Sequence, residues 1–362
     1  MSLTILPRSL GGSALARDYV AGTGEARRFY VGAPDSLAAL GEKLAEVSGR
    51  FDRAARERAA AALRPTSERA QKRLARFVEE GGAMITTGQQ TGLLSGPLYT
   101  LYKAITAAEL ARAAEAALGV VVLPVFWAAS EDHDWAEVDH ADLLTADRQL
   151  RRVRLPETDP RPLPMSDRRL GERFEGVVGE VVKTIAGSEY ARGCIEWVEE
   201  AYRPGATVAE AFDDLVSCML RDFDMLLADA ADPALKSASR AVLEADLLEG
   251  GAVESALAER ADALLAAGYH AQVPILAGGT NVFYHGDAGR ERLYRRGGVW
   301  VGNDSGVRFD RGQLLEALER EPGRFSPNVL LRPVVESAVF PTLAYVAGPG
   351  EISYFAELEP LF

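Results

Sequence analysis

TTGQQTGLLSGPLYTLYK, residues 86–103, is the stretch from which the rest of the chain is read. It follows the short apolar run Ala83-Met84-Ile85, which reads as a buried strand. It runs into Leu98–Leu118, where Leu98, Leu101, Tyr102, Ile105, Ala108 and Leu110 recur at helical spacing. Between the two lie Gly88, Gly92, Gly96 and Pro97. A strand, a glycine-rich loop and a helix start set backbone N–H groups where an anion can sit. The loop lacks the lysine and spacing of a P-loop, and it is not G-x-G-x-x-G. An anion cradle and a tight structural crossover therefore stand as equal readings. Thr86, Thr87, Gln89, Gln90, Thr91 and Ser95 carry no charge, so the loop can line a pocket but supplies no nucleophile with its base.

Outward from this stretch, Val120–Trp127 (VVVLPVFW) is apolar, β-branched and short, and reads as a second buried parallel strand. Two strand ends, at Thr87 and Trp127, thus carry unusual polar loops, and ligands of open α/β sheets bind beyond such ends. Upstream, residues 36–80 are helical with a break at Pro65, a cap at Thr66 or Ser67, and a stop at Gly81-Gly82. Residues 1–35 read as an arm. Downstream, 142–155 alternates like a hairpin, and helical patterns run over 187–203 and 207–222. Met225–Leu227 is a short strand ending in acids, followed by helices at 234–249 and 252–267. From 270 the texture is β: Gln272–Ala277 is apolar and ends at Gly278-Gly279, and Asn281–His285 and Arg292–Trp300 look like short strands around turns at Gly286, Gly289 and Gly297-Gly298. A helix at 311–321 and another before Pro341 lead to the strand Thr342–Ala347. Gly348-Pro349-Gly350-Glu351 then opens a last helix. The expected fold is α/β, with a helical subdomain. Its expected division is 1–149 for the arm and first half of the core, 150–225 for an insertion, and 226–362 for the second half with a β-rich insertion.

The net charge of −13, from 40 basic and 53 acidic residues, argues against nucleic acid as a partner. Two cysteines, Cys194 and Cys218, without metal-type spacing exclude a disulfide framework. No leader-like or membrane-spanning run is present, so the expectation is a cytoplasmic protein with no membrane partner.

Glu131-Asp132-His133-Asp134 is the richest chemical group. Carboxylates beside His133 would raise its pKa and suit it to acid–base work. Histidine with carboxylates also suits a divalent ion, and acids at a helix start are favourable without any function. Lys103, beside Tyr99 and Tyr102, is a ligand group or a snorkelling lysine. Asn328, Arg332 and Glu336 fall on one helix face at i, i+4 and i+8. Arg332 would grip a carboxylate or phosphate there, unless the face is simply salt-bridged. Gly348, Gly350 and Glu351 repeat the strand–glycine–helix arrangement. His270 and His285 read as structural, and no G-x-S-x-G elbow appears.

TGQQTGLLSGPLYTLYK (87–103), VLPVFWAASEDHDWAEVDH (122–140), DPALK (232–236) and SPNVLLRPVVESAVFPTLAYVAGPGEISYFAEL (326–358) together resemble the BshC family, the cysteine ligase of bacillithiol biosynthesis. The resemblance implies a Rossmann-like, nucleotidyltransferase-type parallel-sheet core with connecting-peptide insertions. It implies a C-terminal coiled coil used for dimerisation, which is absent or shortened in a sequence that stops at Phe362, so a homodimer is an expectation only. The implied activity adds cysteine to glucosaminyl malate, with ATP and Mg²⁺ activating the cysteine carboxylate. On that reading His133, with Asp132 or Asp134, is the base. Lys103 and the loop residues Thr87, Gly88, Gln89, Gln90, Gly92, Gly96, Pro97 and Tyr99 hold phosphate or carboxylate. Asn328 and Arg332 bind a substrate carboxylate, Gly348, Gly350 and Glu351 complete the site, and Glu131 or Asp134 contacts Mg²⁺ on the phosphates. No metal site built by the protein alone is expected. The alternatives are a non-catalytic small-molecule or nucleotide-binding protein of this fold and a metal-dependent hydrolase centred on Glu131–Asp134.

Overall fold

The computed structural model describes residues 11–33, 36–145, 147–171 and 173–362. Of the arm expected over 1–35, residues 1–10, 34 and 35 lie outside the described residues. In chain order, α1 (Ala14–Ala21), α2 (Leu37–Ser48) and α3 (Arg53–Ala61) precede the two-residue strand β1 (Arg64–Pro65) and α4 (Glu68–Glu80). Ser67 caps α4 by accepting from Ala70 N. Then come β2 (Ala83–Gln89), α5 (Tyr99–Leu118) and β3 (Val122–Ala128), followed by the short α6 (Trp135–Val138) and the hairpin β4 (His140–Leu144) and β5 (Leu150–Arg154). Helices α7 (Phe174–Ile185), α8 (Ala191–Ala201) and α9 (Val208–Met219) lead to β6 (Leu226–Asp229) and α10 (Pro233–Ala266). Strands β7 (Gly279–Gly286), β8 (Gly289–Arg296), β9 (Val299–Gly302) and β10 (Arg308–Phe309) follow, then α11 (Arg311–Arg320) and β11 (Phe325–Pro327). The described chain closes with α12 (Arg332–Val339), β12 (Thr342–Tyr345) and α13 (Pro349–Phe355).

The central sheet has the order β1-β6-β3-β2-β12, with β6, β3, β2 and β12 parallel and β1 antiparallel at the edge. Every residue of β3 is buried, as a strand covered on both faces requires. One face packs on α5, whose Ala104, Ala107, Ala111 and Ala114 let the helix lie close to the strands, and on Phe212 of α9. The other face packs on α4, α10 and α12. Gly82 (φ +140°) joins α4 to β2, where an added Cβ would stand 2.1 Å from Val121 O. The chain runs β2, β3, β6 in one direction across the sheet and then returns β12 to the far side of β2. That reversal opens a crevice beyond the carboxyl ends of β2 and β12. A second, antiparallel sheet has the order β10-β9-β8-β7-β11. The hairpin β4–β5 and helices α7–α9 build a separate core that also takes in Leu93 of the glycine loop.

Two expectations are corrected. The helices at 234–249 and 252–267 are one helix, α10, continuous through Gly250-Gly251. The glycines cost about 1 kcal/mol each, less than is gained by burying Leu243, Leu247, Leu257 and Leu264 along its length. Gln272–Ala277 is not a strand; the N–H groups of Gln272 and Val273 are taken by the Glu357 carboxylate instead of a neighbouring strand. The turn expected at Gly297-Gly298 (φ +58° and +84°) separates β8 from β9.

Candidate functional site

The crevice between β2 and β12 is filled by a charged network. Lys103, early in α5, is only 6% exposed, so it is not a snorkelling surface lysine. Its Nζ donates to Gly88 O at 2.7 Å and to Glu351 Oε2 at 2.5 Å. Glu351 also accepts from Gly348 N (2.6 Å) and from Tyr345 OH (2.7 Å), which fixes the start of α13 against the end of β12. One layer down, Arg332 donates to Glu336 Oε2 at 2.7 Å, and Thr86 Oγ1 donates to Glu336 Oε1 at 2.5 Å. The Arg332 guanidinium lies 5.0 Å from the Tyr345 ring centroid and 5.7 Å from that of Trp127. Burial lowers the pKa of Lys103, opposed by Glu351, and raises those of Glu336 and Tyr345. Arg332 Nη2 and Trp127 Nε1 are buried donors without hydrogen-bond partners.

The glycine loop closes over this network. An added Cβ at Gly88 would stand 2.9 Å from Trp127 O and 3.2 Å from Tyr345 OH, so only glycine lets β2 end between its neighbours. A Cβ on Gly92 would stand 2.9 Å from Gly96 Cα, so this pair lets the loop fold on itself. Between them Leu94 (φ +53°) and Ser95 (φ +73°) are left-handed, a costly conformation for side-chain-bearing residues. Leu94 N is secured by the hydroxyl of Tyr202, from the helical subdomain, at 2.7 Å. Pro97 O accepts from Thr100 N in the first turn of α5, and Thr87 Oγ1 donates to Val346 O. Gln89 Nε2 donates to Tyr99 OH (2.9 Å), and Gln90 Nε2 to Asp132 Oδ2 (2.6 Å). The last bond ties the glycine loop to the acidic loop beyond β3.

The acidic loop faces Arg290 of β8. Arg290 Nη1 donates to His133 Nδ1 at 3.0 Å and lies 3.5 Å from Asp132 Oδ1. Its Nε donates to Ser326 Oγ and its Nη2 to Pro327 O. Burial brings this guanidinium down to about 10. The expectation that carboxylates raise the pKa of His133 is corrected. Burial lowers it, Arg290 adds to the lowering, and Asp132 and Asp134 only oppose them. Because a guanidinium can only donate, Nδ1 is the acceptor and a neutral ring carries its proton on Nε2. The geometry therefore leaves His133 no lone pair with which to serve as base. Asp134 opens α6. Glu131 is ion-paired with Lys236, whose Nζ also donates to Phe325 O at 2.5 Å. Burial lowers the pKa of Lys236 well below its ordinary value, and Arg290 adds to this.

Beyond β3 and β6 lies a cavity of about 610 Å³, walled by Glu131, Asp213, Asp229, Lys236, His285 and Arg290 among others. It lies where the central sheet, the helical subdomain and the antiparallel sheet meet. Of these residues only Glu131 was among the site residues expected from sequence. Lys236 carried a signal, as one of five lysines and in a strand-end motif. Asp213 and Arg290 carried none. Asn328 is corrected: it precedes α12 and does not share a helix face with Arg332. Its Oδ1 accepts from Leu330 N and Leu331 N, and its Nδ2 donates to Asn281 Oδ1, so it shapes the turn into the helix. Gly350 lies exposed in the first turn of α13. Among the described residues no group of three or more His, Cys, Asp or Glu is arranged to hold a metal ion, and no helix is long and apolar enough to cross a membrane.

The family model described as "Bacillithiol biosynthesis BshC, N-terminal Rossmann-like domain" matches residues 1–362. A relative from Koribacter versatilis (strain Ellin345), named "Putative cysteine ligase BshC", is 34% identical over 351 residues, 95% of this chain and 64% of its own. Proteins of the same name from Bacillus thuringiensis (strain Al Hakam) and Bacillus cereus (strain 03BB102) are each 31% identical over 285 residues, 78% of this chain and 53% of theirs. The chain thus spans between about half and two thirds of the length of these curated relatives.

Proposed function

The chain belongs to the BshC family, and from that premise we propose that it joins cysteine to the amine of glucosaminyl malate, forming the amide of bacillithiol in the cytoplasm. The cysteine carboxylate is activated, the neutral amine attacks its carbon, and the leaving group departs with the electron pair of the broken bond. The observation that carries this reading is the Gln90–Asp132 hydrogen bond, which unites two sites of different chemistry. On one side is the β2–β12 crevice, with Lys103, Arg332 and the backbone of 88–97. On the other is the charged cavity beyond β3 and β6. An activated acyl donor and an amine acceptor need such adjacent sites.

The donors of the crevice support a phosphate-bearing activator. Two buried donors there, Arg332 Nη2 and Trp127 Nε1, lack partners, and Lys103 adds a charge. ATP, with Mg²⁺ on its phosphates, supplies the activation of the carboxylate in this reading. Arg290, held by His133, Ser326 and Pro327 O, lines the cavity and keeps N–H groups with which to orient the reacting carbonyl. A homodimer is part of the same proposal. The test is incubation of the chain with cysteine, ATP, Mg²⁺ and glucosaminyl malate, with mass-spectrometric detection of bacillithiol. No product from the folded protein sinks the reading.

A further inference from the structure

Lys236 and Arg290, two of the cations that line the 610 Å³ cavity, already hold protein partners. Lys236 is held by Glu131 and Phe325 O, and Arg290 by Ser326, Pro327 O and His133. A carboxylate or phosphate would share these cations with the partners they already hold. What the cavity wall leaves unsatisfied is an acceptor. Asp213, on α9, is 8% exposed and lines the cavity, yet its Oδ1 has no hydrogen-bond partner. Its Oδ2 is ion-paired with Arg64 Nη2 at 3.5 Å, which leaves Oδ1 as the free acceptor. Asp229, on the same cavity at the end of β6, is by contrast held by Ser130 Oγ and Ala231 N. A buried carboxylate oxygen without a donor costs about 1–3 kcal/mol, and a ligand that brings a donor recovers it.

We propose that Asp213 binds the primary amine of the acceptor substrate, receiving it as an ammonium ion and taking one of its protons. This inference rests on the ligase reading above. In the step, an N–H bond of the ammonium breaks heterolytically, the electron pair stays on nitrogen, and the proton passes to a carboxylate oxygen of Asp213. A neutral amine and a neutral carboxylic acid result. Burial, and secondarily Asp229, push this carboxyl up to about 7, where it exchanges protons near neutrality. A divalent ion is a poorer occupant, because among the described residues no three His, Cys, Asp or Glu are arranged to hold one. The assignment also supplies the base that His133, with its Nδ1 already engaged, does not.

The test is calorimetric titration of the 362-residue chain with glucosaminyl malate and with its N-acetyl derivative, for the wild type and Asp213→Asn. The wild type is expected to prefer the free amine at least tenfold. Asp213→Asn is expected to weaken free-amine binding roughly ten- to a hundredfold, the range of a charge-assisted hydrogen bond, and to leave N-acetyl binding unchanged. Equal binding of both ligands by the wild type, no binding of the free amine, or an undiminished preference in the variant overturns the proposal. The wild-type comparison decides even if the variant does not fold, which a melting curve reports. Product formation is followed in parallel. A fully active Asp213→Asn overturns the inference and leaves the ligase reading. Amine binding that depends on Asp213, without any turnover by the wild type, sinks the ligase reading and leaves the amine site.

Discussion

Lys103 and Glu351 join two parts of the chain 248 residues apart, and each is the other's charge partner in a buried crevice. Removing one member of such a pair strands the other. Lys103→Met is therefore expected to cost about 3 kcal/mol in urea unfolding. Lys103→Met with Glu351→Gln should recover most of that loss, since neither charge is then left alone. Equal losses in single and double variants would refute the pairing argument. Asp213 gives a prediction in pH. Its carboxyl stands at about 7 in the fold against an ordinary 3.8, so the folded state favours its proton. That contribution is fully present below about pH 3.8 and is lost as pH rises through about 7. Relative to Asp213→Asn, which does not titrate, the wild type should lose stability across that window, on the order of 3 kcal/mol. Melting temperatures of the two proteins from about pH 4 to about pH 8 check it, and a constant difference would contradict the shift.

The glycine loop shows what an element reveals in sequence and what it hides. Gly88, Gly92 and Gly96 stand out because glycine is informative wherever a backbone must pass close to something else. The structure supplies the neighbours: Trp127 and Tyr345 for Gly88, and the loop's own backbone for Gly92. Leu94 and Ser95 gave no such warning. Their left-handed conformation is imposed from outside, by the Tyr202 hydroxyl and by Leu93 packing into the helical subdomain. Long-range causes of that kind leave no trace in local spacing. Tyr202→Phe removes the acceptor and leaves a part-buried N–H unpaired, at an expected cost of about 1–3 kcal/mol. The loss should concentrate in the loop, so amide hydrogen exchange should quicken over residues 92–97 more than in β2 or β3. Uniform loss of protection would mean that Tyr202 acts on the whole fold. Asn328 is the converse case: its spacing to Arg332 and Glu336 suggested a shared helix face, but helical spacing has meaning only once the helix has begun, and α12 begins at Arg332.

At the scale of the molecule, the parallel core was legible because β2, β3 and β6 are short apolar runs, each ending in polar residues. The strand order was not, since the jump of β12 across the sheet depends on contacts between residues some 250 positions apart. The cavity was hidden for the same reason. Its wall draws Glu131 from one loop, Asp213 from α9, Lys236 from α10 and Arg290 from β8, and only folding brings them together. Arg290 links the antiparallel sheet to the acidic loop beyond β3, through Asp132 and His133. That coupling can be read at His133. Burial lowers the pKa of this histidine first, and the Arg290 charge lowers it further. Arg290→Leu removes the charge, frees Nδ1 and lets water reach the acidic loop. All three changes favour the protonated ring, with Asp132 and Asp134 then its nearest charges. The NMR titration of His133 should therefore move upward, toward or above the ordinary 6.5. If His133 stays low in Arg290→Leu, desolvation alone sets it and the antiparallel sheet is not coupled to the acidic loop through this contact.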